Sequence, residues 1–526
     1  MLQTALIFGD NMVLQRGKKI PVWGTATPHG EVTVSIQGVS GNAAADADGA
    51  FCVLLPPLET SFDETMTIAA GDESLTFTGV MVGEVWLAGG QSNMEFHMRY
   101  DADVAAEKEK CAGRNIRFFD YPEVSYPEQI HEADYSKEYG FWRKPEPEQL
   151  ERFSAVGWYF ASELENKYKI PVGIIGCNWG GTPACAWMPE QDLIDGGGQV
   201  FLDEYKEAIS KLDLEEYDRN FRNNPGSYRT DQLADPIGDK LLFGCTMEEF
   251  MGMLAQMGID VSSLDPSAFL PVMGPKYERR PCGLYESMLK PLAPYGIRGV
   301  IWYQGETDGD THPELYHLVF PAMIKSWRKL WGEELPFLFT QIAGLDHWME
   351  CVGEPYAKIR DAQQYTEDTV LGTGMAVTSD VGMQFDIHPK KKQPVGRRLA
   401  LLAENKVYGD DVLCKAPTLL EAAISDGRAV LTFANAGDGL TLKETVPYGQ
   451  VIGKETPGGL QIIQDGEELP ADSFRAYASG DTMTVESPAI KAGRATVVRM
   501  AKTGWYLVNL YNSNDIPARP AAVAGH

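Results

Sequence analysis

The run from Val80 to Leu87 is apolar at nearly every position, and it breaks at Gly89-Gly90 to deliver Gln91-Ser92-Asn93-Met94-Glu95. A short, nearly continuous apolar run bounded by glycines reads as a strand covered on both faces, the kind found in parallel sheets flanked by helices. Two glycines let the backbone turn sharply where that strand gives way to a helix, and Ser92 falls at the start of the helix. There its hydroxyl stands at the sheet edge and its amide can donate to a developing oxyanion. The plainer reading is an ordinary strand-end turn.

A serine nucleophile needs a base on another loop at the same edge of a sheet. Among eight histidines, His388 follows a strand-like run, Gly374 to Thr378, and precedes a helical stretch from about Lys390 to Val407. Loops of that kind, after a strand and before a helix, carry catalytic groups in α/β folds. Asp386 can orient the imidazole, with Asp380 a second candidate; the alternative is a surface histidine capping a helix beside Pro389. Two further strand ends offer oxyanion donors. Val172–Cys177 runs into Asn178-Trp179-Gly180-Gly181-Thr182-Pro183, whose glycines allow close backbone approach. Gly299–Tyr303 runs into Gln304-Gly305-Glu306-Thr307-Asp308, where Gln304 is either an oxyanion donor or a buried core amide.

Four blocks, Gly90-Gln91-Ser92-Asn93-Met94, Trp179-Gly180-Gly181-Thr182-Pro183, Trp302-Tyr303-Gln304-Gly305-Glu306 and Asp386-Ile387-His388-Pro389, resemble in type and order the sialate O-acetylesterase family of SGNH-type hydrolases. The stretches 9–16, 22–24, 46–58 and 510–518 are similar to the family's flanking segments. The resemblance implies Ser92 as nucleophile and His388 as general base. It implies the Ser92 amide, the backbone at Gly180 or Gly181 and the Gln304 side chain as the oxyanion hole. The acid that the wider superfamily keeps three residues before the histidine is replaced here by Phe385, so the third member falls to Asp386, Asp380 or a backbone carbonyl, with Asp386 preferred. The activity implied is removal of O-acetyl groups from sugars, sialate first and acetylated xylan or other plant oligosaccharides second. A non-catalytic carbohydrate-binding protein on the same scaffold is the reading from a different class.

At 526 residues the chain exceeds the usual reach of one core. The first eighty residues alternate short β-prone runs with glycine and aspartate turns, and read as a β-sandwich over 1–80. Strands separated by helical spacing, as at Val156, Phe160, Leu164 and Tyr168, predict a three-layer α/β/α domain over 81–410. Charged, Met-rich helical sequence near 190–285 reads as an insertion, and 411–526 returns to β patterning. A net charge of −28 disfavours nucleic acid and anionic membranes as partners. An acetylated sugar is the expected partner, and the sequence leaves the oligomeric state open. Eight cysteines without metal-ligand spacing predict free thiols, no metal and no cofactor; with no leader-like start, the expected location is the cytoplasm. Asp46-Ala47-Asp48-Gly49 reads as a turn rather than a calcium loop, and Lys390-Lys391-Lys392 as a solvated helix face in preference to a run that draws in an anionic sugar. Arg360 either points at the site or pairs with a buried carboxylate, and Glu306 either tunes the oxyanion hole or, the preferred reading, holds its loop by bonds to backbone.

Overall fold

One strand of 18 residues, Glu73–Gly90 (β1), changes character halfway along. Up to Gly79 its residues alternate in exposure and pair antiparallel with Ser61–Ala70; from Val80 onward every residue is buried. The alternating half has one face in water, and the continuous apolar half lies inside a parallel sheet. That sheet runs in the order Trp142–Arg143, Ile116–Asp120 (β2), Val172–Asn178 (β3), β1, Gly299–Tyr303 (β4). β3 lies parallel to both β1 and β2. The computed structural model describes residues 1–224, 227–231, 233, 235–258, 272–444 and 451–526. Part of the predicted insertion, at 225–226, 232, 234 and 259–271, lies outside the described residues; the described part is mainly helical up to Gln256 and irregular from 272 to 282.

The chain divides into two compact units, Met1–Trp302 with Leu318–Phe337, and Tyr303–His317 with Leu338–His526. In the first, no helix precedes Ser92 among the described residues, and Glu31–Ile36 buries alternate side chains between Val39–Ala44 and Ser61–Ala70. The Asp46 carboxylate accepts from the amides of Asp48 and Ala50, so that segment is the expected turn. Glu84, on the buried half of β1, is held by Arg16 Nε at 2.6 Å and Arg298 Nε at 2.5 Å. Burial pushes its carboxyl pKa up, but the two guanidiniums outweigh burial and hold it below the ordinary value.

Three helices of this unit bear on the site: Ser92–Glu95 (α1), Ala155–Tyr168 (α2) and Leu214–Asn223 (α3). The predicted four-residue spacing forms α2, which Ser154 caps by accepting from the Gly157 amide at 3.1 Å. α2 packs Phe160 edge-on against Trp86 of β1, with ring centroids 5.0 Å apart.

The second unit places Phe337–Thr340 beside Thr373–Ala376, with helix Tyr356–Thr369 between them in sequence and helix Gln393–Lys406 (α4) after them. Its C-terminal part is an eight-stranded sheet whose buried side chains, among them Leu431, Phe433, Ile462, Met483 and Val498, form one core. The class is therefore α/β with β-rich segments at both ends of the chain. None of the eight cysteines forms a disulfide. Among the described residues no helix is long and apolar enough to cross a membrane, and no cluster of acidic, histidine and cysteine residues is arranged to hold a metal.

Candidate active site

In the first unit, Gly90 takes φ +136°, a conformation that disfavours side chains, and this turns the chain out of β1 so that Ser92 opens α1. Ser154, the cap of α2, donates to the Met94 carbonyl at 2.6 Å and ties the serine turn to a long buried helix. The Trp179 amide donates to the Gly90 carbonyl at 3.1 Å, which brings the end of β3 alongside. A Cβ at Gly180 would lie 3.3 Å from the Ser92 Cβ, so this unit assembles Ser92, Gly180 and Gly181.

The two glycines differ in what their amides do. Gly180 N–H donates to Glu95 Oε2 at 2.6 Å, the carboxylate at the end of α1. Gly181, at φ +73°, has no acceptor for its N–H among the described residues, and the Arg279 guanidinium covers the position where a side chain would grow. Of the two predicted donors, the geometry therefore leaves Gly181 available and engages Gly180. Glu95 also faces Arg229 at 3.6 Å, and Arg229 lies 2.8 Å from Glu123. Burial raises the pKa of both carboxyls, while Arg229 pulls against that. Nothing in the local sequence announced this triad, because its members are far apart in the chain.

In the second unit, His388 is buried, in contact with Trp348 edge-on at 5.1 Å between centroids. Its Nδ1 lies 3.5 Å from Asp386 Oδ1, an ion-pair distance longer than a good hydrogen bond, and the same carboxylate oxygen accepts the His388 backbone amide at 2.8 Å. Burial holds the imidazole pKa below its ordinary value; Asp386 opposes this, and Lys390 and Lys392 reinforce it. Burial would raise the Asp386 carboxyl pKa, yet His388 and Lys390 keep it below the usual range. Asp380 is engaged elsewhere: Arg398 clamps it through two contacts of 2.7 Å, and Tyr511 donates to it at 3.1 Å. Asp386, not Asp380, is the carboxylate beside the imidazole.

Gln304, fully buried at the end of β4, donates through Nε2 to Asp308 and accepts from the Tyr316 hydroxyl at 3.0 Å. The amide is thus a fixed group at the strand end, held at both its nitrogen and its oxygen. The lysine run departs from expectation. Lys390 pairs with Asp386 at 2.8 Å, and Lys392 is wholly buried with its ammonium 5.4 Å from the centre of the Tyr303 ring; only Lys391 is exposed. Arg360 meets neither expectation, donating instead to the carbonyls of Ala343 and Thr503. Glu306 is buried at the start of the short helix after Gln304.

A protein-family model described as "Carbohydrate esterase, sialic acid-specific acetylesterase" matches residues 273–401. The sialate O-acetylesterase of Mus musculus is 26% identical over 467 residues, covering 81% of this chain and 77% of its own. The Homo sapiens sialate O-acetylesterase is 25% identical over 475 residues, covering 82% and 76%. The crystal structure of a carbohydrate acetylesterase from Xanthomonas citri is similar over 99% of both chains, with 28% identity and a TM-score of 0.71.

Proposed function

We infer that this chain, which belongs to the sialic acid-specific acetylesterase family of carbohydrate esterases, cleaves O-acetyl groups from sugars with Ser92 as nucleophile. Ser92 Oγ attacks the acetyl carbonyl as His388 takes its proton. The tetrahedral oxyanion is held by the amides of Ser92 and Gly181 and by the Gln304 side chain. The C–O bond to the sugar then breaks, His388 gives its proton to the leaving sugar oxygen, and water resolves the acetyl-enzyme by the same steps in reverse.

The observation that carries this reading is His388: a buried imidazole whose Nδ1 faces the Asp386 carboxylate at 3.5 Å, with burial disfavouring its charged form, is placed to accept a proton and to be stabilised once it has done so. An active-site serine probe tests it. Labelling at Ser92 in the wild type that disappears in His388→Ala is expected; equal labelling of both proteins would remove the histidine from the mechanism.

For the substrate, sialate is the first reading, supported by the relatives' names and by Arg279, which has no ion pair among the described residues and faces Gly181, where a sugar carboxylate could meet it. Acetylated xylan or a similar neutral oligosaccharide is the second, favoured by the repulsion a chain of net charge −28 exerts on an anionic substrate. Acetate release from 9-O-acetylated sialic acid and from acetylated xylo-oligosaccharide separates the two. Failure on both, and on a simple aryl acetate, would leave only carbohydrate binding.

A further inference from the structure

The first unit contains a cavity of about 800 Å³ that opens beside Trp179 and Gly180 and is walled mainly by α3 and residues 276–278. Its size is that of a pocket for a ligand larger than an acetyl ester and its parent sugar ring. Four aromatic side chains line it, Trp179, Tyr217, Phe221 and Tyr277. Three cations line it as well, and each is already matched by a carboxylate: Arg229 by Glu123 at 2.8 Å, Lys276 by Asp218 at 2.5 Å and Lys211 by Glu207 at 2.6 Å. The remaining polar groups include Asn220, Glu216 and Glu278. Burial raises the Glu278 carboxyl pKa and so favours its neutral, hydrogen-bonding form.

A wall of this kind fits one chemistry well. Paired cations offer little attraction to a carboxylate or phosphate, while aromatic faces pack on the C–H faces of pyranose rings and the amide and carboxyl groups exchange hydrogen bonds with hydroxyls. The Trp179–Gly180 edge of the cavity is the one that touches Ser92. We propose that this cavity binds the neutral sugar rings attached to the acetylated residue, so that the enzyme acts on glycans in preference to free acetylated monosaccharides. This rests on the esterase reading above. It holds whether the acetylated residue is a sialate at the end of a glycan or part of a plant chain, because both attach to neutral rings.

Equilibrium binding to the full-length protein tests it, with xylotetraose, 3′-sialyllactose, xylose and free N-acetylneuraminate as probes. At least one of the two oligosaccharides is expected to bind, with the xylosyl and lactosyl arms showing which neutral rings fit, and to bind at least about tenfold tighter than either monosaccharide. Tyr217→Ala is expected to weaken that binding by about tenfold or more, as loss of an aromatic anchor does. Asn220→Trp, which fills the cavity from an exposed position on α3 without removing any packed side chain, is expected to do the same. Unchanged oligosaccharide binding in Asn220→Trp, no oligosaccharide binding by the wild type, or tightest binding of free N-acetylneuraminate would each overturn the proposal. Aryl acetate hydrolysis by the wild type, read alongside, addresses the esterase reading alone: its absence sinks that reading whatever the cavity binds.

Discussion

Two aspartates near His388 competed for one role, and exchanging each for asparagine separates structure from chemistry. Asp380 is 9% exposed at its side chain and Arg398 5%, and both guanidinium contacts are 2.7 Å. Asp380→Asn keeps the volume but leaves a buried guanidinium without its counter-charge. Removing one partner of such a pair costs about 3–5 kcal/mol. The Val377 carbonyl, which accepts from Arg398 at 2.9 Å, and the surviving amide oxygen place the expected loss at the lower end, about 3 kcal/mol. For a cooperative unit of 150–250 residues that corresponds to roughly 6–12 °C in Tm. Turnover per folded molecule should stay within about twofold, because Asp380 faces Arg398 and Tyr511. Asp386→Asn leaves Lys390 without its counter-charge and so also lowers Tm, but in contrast to Asp380→Asn it should lower kcat by about 10²-fold or more as the imidazolium loses its partner. Thermal unfolding followed by fluorescence, paired with aryl acetate kinetics at 25 °C, reads both. An Asp380→Asn enzyme of unchanged Tm whose kcat falls as far as that of Asp386→Asn would refute the reasoning.

The acid limb of kcat/KM should have an apparent pKa below 6.5, because burial and two lysines disfavour the inactive imidazolium; Lys390→Met removes one of those positive charges, stabilises the imidazolium and should move the limb to higher pH. A wild-type limb above 6.5, or a shift the other way, would contradict this. Gln304→Ala should lower kcat by about 10²–10³-fold, the usual cost of one oxyanion donor, with a smaller drop in Asp308→Ala, whose carboxylate accepts the Gln304 amide; single-turnover rates check both. Glu95→Gln keeps the size but weakens the bond from Gly180 and one partner of Arg229, and should cost about 1–2 kcal/mol in urea unfolding. An unchanged midpoint would mean that the Gly180 loop is held by other contacts.

The parts legible in the sequence were those governed by local rules. A short apolar run rich in valine and ending in glycines reads as a covered strand with a sharp exit, and the placement of Ser92 at a helix start followed from that. The loop carrying His388 was equally plain, lying between a short apolar strand and a helix start. What escaped were choices settled by residues distant in the chain. Asp380 and Asp386 look alike in sequence, and Arg398 with Tyr511 decides between them. Three consecutive lysines read as a solvated face, whereas the Asp386 carboxylate and the Tyr303 ring give two of them buried partners. Gly180 and Gly181 are equivalent as sequence, and the carboxylate of Glu95, 85 residues earlier, distinguishes their amides.

These long-range choices share a physical device. Four buried carboxylates close to the candidate site or on the strand leading to it are held by arginine, Glu84 by Arg16 and Arg298, Glu95 and Glu123 by Arg229, and Asp380 by Arg398, while Asp386 is held by Lys390. A guanidinium keeps its charge on burial and presents several donors in a fixed plane, so it can bridge two elements and satisfy more than one acceptor; an ammonium is a single, strongly hydrated point that loses more on leaving water. In a chain with 74 acidic and 46 basic residues, carboxylates are plentiful and the side chains able to bury them are not. These arginines hold the loops that carry Ser92, Gly181 and His388, and because the four of them neutralise four carboxylates, the net charge of −28 is left to the rest of the chain. That excess of acidic residues weakens the attraction of the protein's exterior for an anionic ligand, and leaves recognition of a glycan to ring faces and hydroxyls.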